Sequence, residues 1–299
     1  MLTDLAAPAD DLRADPRVAV VTGPLLDVLA RGGLPLQGVD VVFHLAAAVS
    51  AECEADLDLG LRSNLDTTLA LLQACRAAGG RPRFVFASSL AVFGQAPGLP
   101  LPAQVEDSTL PTPQSSYGVQ KFVCEQLVAD FGRRGLVRAR SVRLMTVSVR
   151  PGRPNGAASG FLSGIIREPL AGLRAACPVA PDTPVAIASA RNTVAGLLAA
   201  ADADDAAWGP PVALNLPALS TTPGAMVDAL RRLAGAQVAG LVDWTRDAGI
   251  ERIVASWPSR IHAVRAAGLG LAPDEDVDAL LRAYVEEAGL AERFPRAAA

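Results

Sequence analysis

Two hydrophobic periods alternate along the first half of the chain. Val18–Val21 (VAVV), Val39–Leu45 (VDVVFHL) and Phe84–Ala87 (FVFA) are short, nearly continuous apolar runs. That is the pattern of parallel strands covered on both faces. Between the last two runs, Asp56–Ala78 places Leu57, Leu61, Leu65, Leu69 and Leu72 at helical spacing and stops at Gly79–Gly80, which predicts one long amphipathic helix. A proline-rich loop, Pro97–Pro113, leads to Ser115–Ser116, a cap for a helix from Tyr117 to about Phe131. Val142–Val149 is the next strand. Strand and helix in turn imply βαβ units and a doubly wound parallel sheet, an α/β fold.

The pattern changes after Arg150. Pro151–Gly160 reads as loop, Val212–Leu216 as an isolated strand, and Pro223–Ala234, Arg260–Ala267 and Asp274–Ala288 as helices of a smaller mixed α/β lobe. The expected division is 1–150 for the sheet domain and 151–299 for the lobe, some of whose segments return to the first sheet. Ala297–Ala299 is expected to fray.

Composition narrows the class. With 51% hydrophobic residues and a formal charge of −4 over 299 residues, the chain has a core to bury and is not disordered. It has no basic block for nucleic acid or an anionic membrane, no run long enough to span a bilayer and no secretory pattern. Cys53, Cys75, Cys124 and Cys177 show no metal spacing, and His44 and His262 are the only histidines, so no metal is expected. These features predict a reduced cytoplasmic protein. A homodimer is compatible with them.

Of 27 basic residues one is a lysine, Lys121, and it stands four positions after Tyr117, one of two tyrosines. That spacing puts both on one helix face. A phenol with pKa near 10 is a poor base, and lowering it by roughly three units needs about 4 kcal/mol from a nearby cation. Such a pair can take a proton from a hydroxyl while hydride leaves the same carbon. A compact ammonium also has a reach that arginine lacks.

Around this pair lie HLAA at His44–Ala47, N-L-D-x-T at Asn64–Thr68, SSLAVFG at Ser88–Gly94, SYGVQK at Ser116–Lys121 and RLMTVSVRPG at Arg143–Gly152. In this order they resemble the extended short-chain dehydrogenase/reductases, the NAD-dependent epimerase/dehydratase family, over nearly the whole chain. HLAAAVS, SGIIREPL at Ser163–Leu170 and IERIVASWP at Ile250–Pro258 are most similar to its D-erythronate dehydrogenases, which oxidise the C2 hydroxyl of four-carbon sugar acids with NAD.

The resemblance implies a Rossmann-type sheet and names roles. Ser89, Tyr117 and Lys121 would be catalytic. Asp4, Leu25, Ala46, Ala47, Ser88, Tyr117, Lys121 and Val147 would hold NAD, with Asp4 on the adenosine ribose. Ser89, Thr146, Asn155, Ser159 and Arg167 would face a sugar-acid substrate. Its carboxylate calls for an arginine, and Arg143, Arg150, Arg153, Arg167 and Arg191 are the candidates. His44 reads as a satisfied strand histidine. Asn64 is either the holder of a kink or water, or a plain helix asparagine.

The chain departs from the family at its start. The strand, glycine-rich turn and helix that cradle a pyrophosphate are absent before Leu2, where LTD resembles the end of the family's second strand. A misassigned start is the expected cause, and weak cofactor binding by this form the expected effect. Pro24 stands where the family has an acid toward the adenine. A nucleotide-sugar 4-epimerase and a degenerate dinucleotide-binding protein are the alternatives.

Overall fold

The computed structural model describes residues 1–95, 98–152 and 157–294. Its centre is a four-stranded parallel sheet in the order β10-β6-β4-β3. Leading into it, β1 (Leu2–Asp4) and β2 (Val20–Thr22) pair only with each other. Then come β3 (Val41–His44), β4 (Arg83–Ser89), β5 (Val105–Glu106) and β6 (Arg138–Leu144). Register aligns Ser88 with Arg143 and Ser89 with Leu144.

Alternation along β4 sorts the core into two layers. Phe84 and Phe86 join Leu71, Leu72 and Cys75 of the Thr67–Ala77 helix and Cys124 and Val128 of the Ser116–Arg133 helix. Val85 faces the other way, onto Leu197 and Ala200 of the Ala190–Asp202 helix and Leu214 of β10 (Leu214–Asn215). The sheet is thus wound on both faces, the expected α/β arrangement. β7 (Thr146–Val147), β9 (Val185–Ala188) and β11 (Leu219–Thr221) form a second sheet, while β8 (Ala175–Cys177) pairs with β12 (Val242–Trp244). A third apolar cluster joins Leu162, Ile165 and Ile166 to Met226, Leu230, Leu280 and Leu281.

Local corrections have identifiable causes. β3 is not covered on both faces: Phe43 is 43% exposed, because β3 is the sheet's edge strand. The Asp56–Ala78 helix is broken, with Leu57–Gly60 and Thr67–Ala77 joined by a π-helical turn at Leu61–Asp66. The wider turn shifts the phase. Leu57 is left 57% exposed, and the buried stripe becomes Asn64, Thr67, Thr68, Leu71 and Leu72. Val142–Val149 is split between two sheets. The proline-rich loop contains β5, which pairs with β13 (Ile261–His262), so the helix expected from Arg260 starts only at Val264. Pro223–Ala234 is helical as expected, capped by the Thr222 side chain. Ala297–Ala299 lies outside the described residues.

No helix among the described residues is long and apolar enough to cross a membrane. None of their His, Cys, Asp and Glu side chains cluster in threes that could hold a metal. All four cysteines are buried thiols.

Candidate active site

The C-terminal ends of β3, β4 and β6 open into a cavity of about 290 Å³, where a doubly wound sheet binds its ligands. Ala47, Ser88, Ser89, Tyr117, Lys121, Thr146, Val147 and Ser159 all line it, so most of the predicted site converges here.

Ser89 ends β4 and caps a short turn, its Oγ accepting from the Ala91 amide at 3.1 Å. Tyr117 lies at the start of its helix, where Ser115 Oγ accepts from the Gly118 amide. A Cβ on Gly118 would stand 2.2 Å from the Ala91 carbonyl oxygen. Only glycine lets the helix approach that turn, and the approach brings Tyr117 into the cavity that Ser89 also lines.

Lys121 is buried, and its Nζ donates to the Ala87 carbonyl at 2.8 Å, 4.8 Å above the Phe86 ring centroid and 5.7 Å from that of Tyr117. Burial lowers its pKa to about 8. The Tyr117 phenol goes the other way, pushed up to about 12 by desolvation, against which the Ser89 hydrogen bond and the Arg150 charge work. Ser89 and Arg150 favour the phenolate beside the Lys121 ammonium, which is bonded to the strand carbonyl of Ala87 rather than to the phenol.

Beneath the cavity lies a polar network that the sequence reading missed. Ser88 Oγ donates to Glu125 Oε1 at 2.5 Å, and Arg143 holds both Glu125 oxygens at 2.9 and 2.8 Å. Arg143 also reaches Asn215 at 3.4 Å. The Ser88 hydroxyl is therefore committed away from the cavity, and Arg143 is buried with a partner. Glu125 follows Lys121 by four residues, so the 117–121–125 stripe was visible in the sequence.

Asn64, in the π turn, accepts from the Ala48 amide at 2.8 Å and donates to Gln120 at 2.8 Å. It fixes the backbone beside Ala47. His44 is buried at 2.8 Å from Thr68 Oγ1. Thr68 gives its own proton to the Asn64 carbonyl, so the histidine is neutral and donates from Nε2. Desolvation, then the Lys121 charge, lower its pKa to about 3.

Several predicted residues are not brought to the cavity. Asp4 is exposed at the end of β1, where its carboxylate accepts from the Ala6 amide. Leu25 packs on the core and Ala46 is exposed. Arg167 bonds the Arg150 carbonyl at 2.8 Å and Glu168 at 2.6 Å, and Arg191 pairs with Glu287 on the surface. Asn155 and Arg153 lie outside the described residues. Trp257 and Met145 line the cavity although no spacing singled them out.

Known proteins are similar to this chain over most of its length. Residues 6–207 match the NAD dependent epimerase/dehydratase family. A D-erythronate dehydrogenase from Cupriavidus necator is 49% identical over 97% of this chain and 88% of its own. One from Haemophilus influenzae is 39% identical over 91% and 85%. The crystal structure of a nucleoside-diphosphate-sugar epimerase from Agrobacterium tumefaciens superposes with TM-score 0.84 at 38% identity, over 96% of this chain and 84% of that one.

Proposed function

The chain belongs to the NAD dependent epimerase/dehydratase family, and from that premise we propose that it oxidises the C2 hydroxyl of a four-carbon sugar acid, D-erythronate or a close relative, to the 2-keto acid with NAD. It is an oxidoreductase that uses a nicotinamide cofactor. The observation that carries the substrate reading is the convergence of Ser89 and Tyr117 on one cavity whose described lining includes Lys121 and Arg150 and no carboxylate. The D-erythronate dehydrogenases similar over most of this chain supply the acid.

The residues present fit the nicotinamide end of the cofactor. Ala47, Ala87 and Ser88 leave a small-sided floor at the strand ends, and Lys121 stands there with donors in reserve beyond its bond to Ala87. Val147 and Tyr117 complete that wall. Asp4, Leu25 and Ala46 are assigned to the adenosine side, where an acid at the end of β1 suits a free ribose hydroxyl and so NAD rather than NADP. When bound there, NAD would supply the acceptor for the C2 hydride. Tyr117, once it has given up its own proton, takes the C2 hydroxyl proton as the phenolate, the form that Ser89 and Arg150 favour, and Ser89 holds the substrate oxygen. Lys121 keeps a positive charge beside them. Thr146, Ser159 and Asn155 are placed on the substrate side. Residues 1–150 are read as the nucleotide-binding unit and 151–299 as largely the substrate side.

A nucleotide-sugar epimerase is the second reading, favoured by the likeness to the Agrobacterium nucleoside-diphosphate-sugar epimerase. Following NADH formation with D-erythronate, D-threonate and a UDP-hexose separates the two. NADH from the four-carbon acids is expected. Epimerised UDP-hexose without net NADH would move the protein to the second class.

A further inference from the structure

Resting on the sugar-acid reading, we propose that Arg150 is the residue that recognises the substrate carboxylate and thereby selects a 2-hydroxy acid. Two cations line the cavity among the described residues, Lys121 and Arg150. The ammonium of Lys121 is already bonded to the Ala87 carbonyl. The Arg150 guanidinium has no ion pair or hydrogen bond among the described residues, although it is half-buried.

The other described arginine candidates are engaged. Arg143 is held by Glu125, Arg191 by Glu287, and Arg167 by Glu168 and the Arg150 carbonyl. A desolvated guanidinium without a counter-ion costs stability. A cavity that keeps one has a place for an anion.

The backbone of Arg150 is held from both sides. Its amide donates to Ser163 Oγ at 3.0 Å, and its carbonyl accepts from Arg167 Nη1 at 2.8 Å. Arg167, the residue first assigned to substrate, thus acts through Arg150 as a positioning residue. Arg150 and Tyr117 line the same cavity, which brings the guanidinium to the side of the site where the reacting oxygen would lie. That closeness fits the chemistry of the substrate, in which the carboxylate carbon is bonded directly to C2. A planar guanidinium holds both carboxylate oxygens and fixes rotation about the C1–C2 bond, presenting the C2 hydroxyl to Ser89 and Tyr117. A neutral hexose leaves the same cation unpaired.

The test titrates D-erythronate and its neutral amide into wild type, Arg150→Gln and Arg150→Lys by calorimetry, with turnover and NADH binding measured alongside. In Arg150→Gln the acid should lose roughly 100-fold in affinity and in kcat/KM, the size of a charge-assisted bidentate contact. Arg150→Lys should fall between, while the amide and NADH change by no more than about twofold. Equal losses for acid and amide, or no loss for the acid, overturn Arg150 as the anchor and leave the dehydrogenase reading standing. A wild-type chain that neither binds nor oxidises the four-carbon acid overturns both.

Discussion

Residues 1–43 and the β4–β6 region are held in place very unequally. In the first, Val28 is the only buried side chain, and Leu2, Leu5, Leu12 and Phe43 are exposed apolar groups. Its two strands pair with each other and not with β3. In the second, β4 is buried from Phe84 to Ser88, and beneath it Ser88, Glu125 and Arg143 form a closed polar network. The lesson is that the groups proposed to handle the proton are fixed by elements that bury and satisfy one another, whereas the side proposed for adenosine is held by little. Stability and catalytic geometry should therefore respond more to changes around β4 than to changes at the exposed positions of residues 1–43.

The largest effect expected is chemical. Tyr117→Phe removes one oxygen from the packed half, and turnover of the sugar acid should fall by up to about 10⁴-fold. The far-ultraviolet dichroism and unfolding midpoint should stay close to wild type. A variant that keeps a tenth or more of the activity would mean another base.

Glu125→Ala comes next. It leaves Arg143 charged and unpaired beneath β4, which should cost about 3–5 kcal/mol in denaturant unfolding. A loss no larger than that of a surface pair would break the contrast between the halves.

His44 sits on the boundary, the one buried residue of β3. Its pKa falls to about 3 in the folded chain against an ordinary 6.5. Between those values the unfolded chain takes up a proton that the folded chain does not, so stability falls as pH is lowered through that window. Unfolding free energies measured across it should show a shallower decline in His44→Gln than in wild type. Parallel pH profiles would mean that His44 titrates alike in both states.

Phe43→Thr is the smallest change. The ring is exposed on an edge strand, and a β-branched replacement suits that position. The unfolding midpoint should hardly move, and a large drop would show that the N-terminal half packs more tightly than its exposure indicates.

Much of this was readable in the chain. β4, the Tyr117 helix and the Pro223–Ala234 helix carry strong local signals: an apolar run closed by serines, a serine cap, a threonine cap followed by proline. Ser89, Tyr117 and Lys121 followed from the rarity of lysine and from motif order. What escaped detection depends on contacts between segments distant in sequence. The π turn at Leu61–Asp66 shifts a helical phase that periodicity alone draws as continuous. The pairing of β5 with β13 joins segments some 150 residues apart. The direction of the Tyr117 shift depends on burial, and Lys121 is turned toward Ala87 by a carbonyl that no spacing reveals. Among the four described arginine candidates, the sequence could not show which guanidinium stays unpaired.

The most direct test of the central claim follows the hydrogen on C2. D-erythronate deuterated at C2 is incubated with the protein and NAD, and the reduced cofactor is examined by mass spectrometry. Deuterium carried into NADH, together with 2-keto acid and absent with Tyr117→Phe, is the predicted result. Deuterium that remains on carbon, with no keto acid formed, would contradict it.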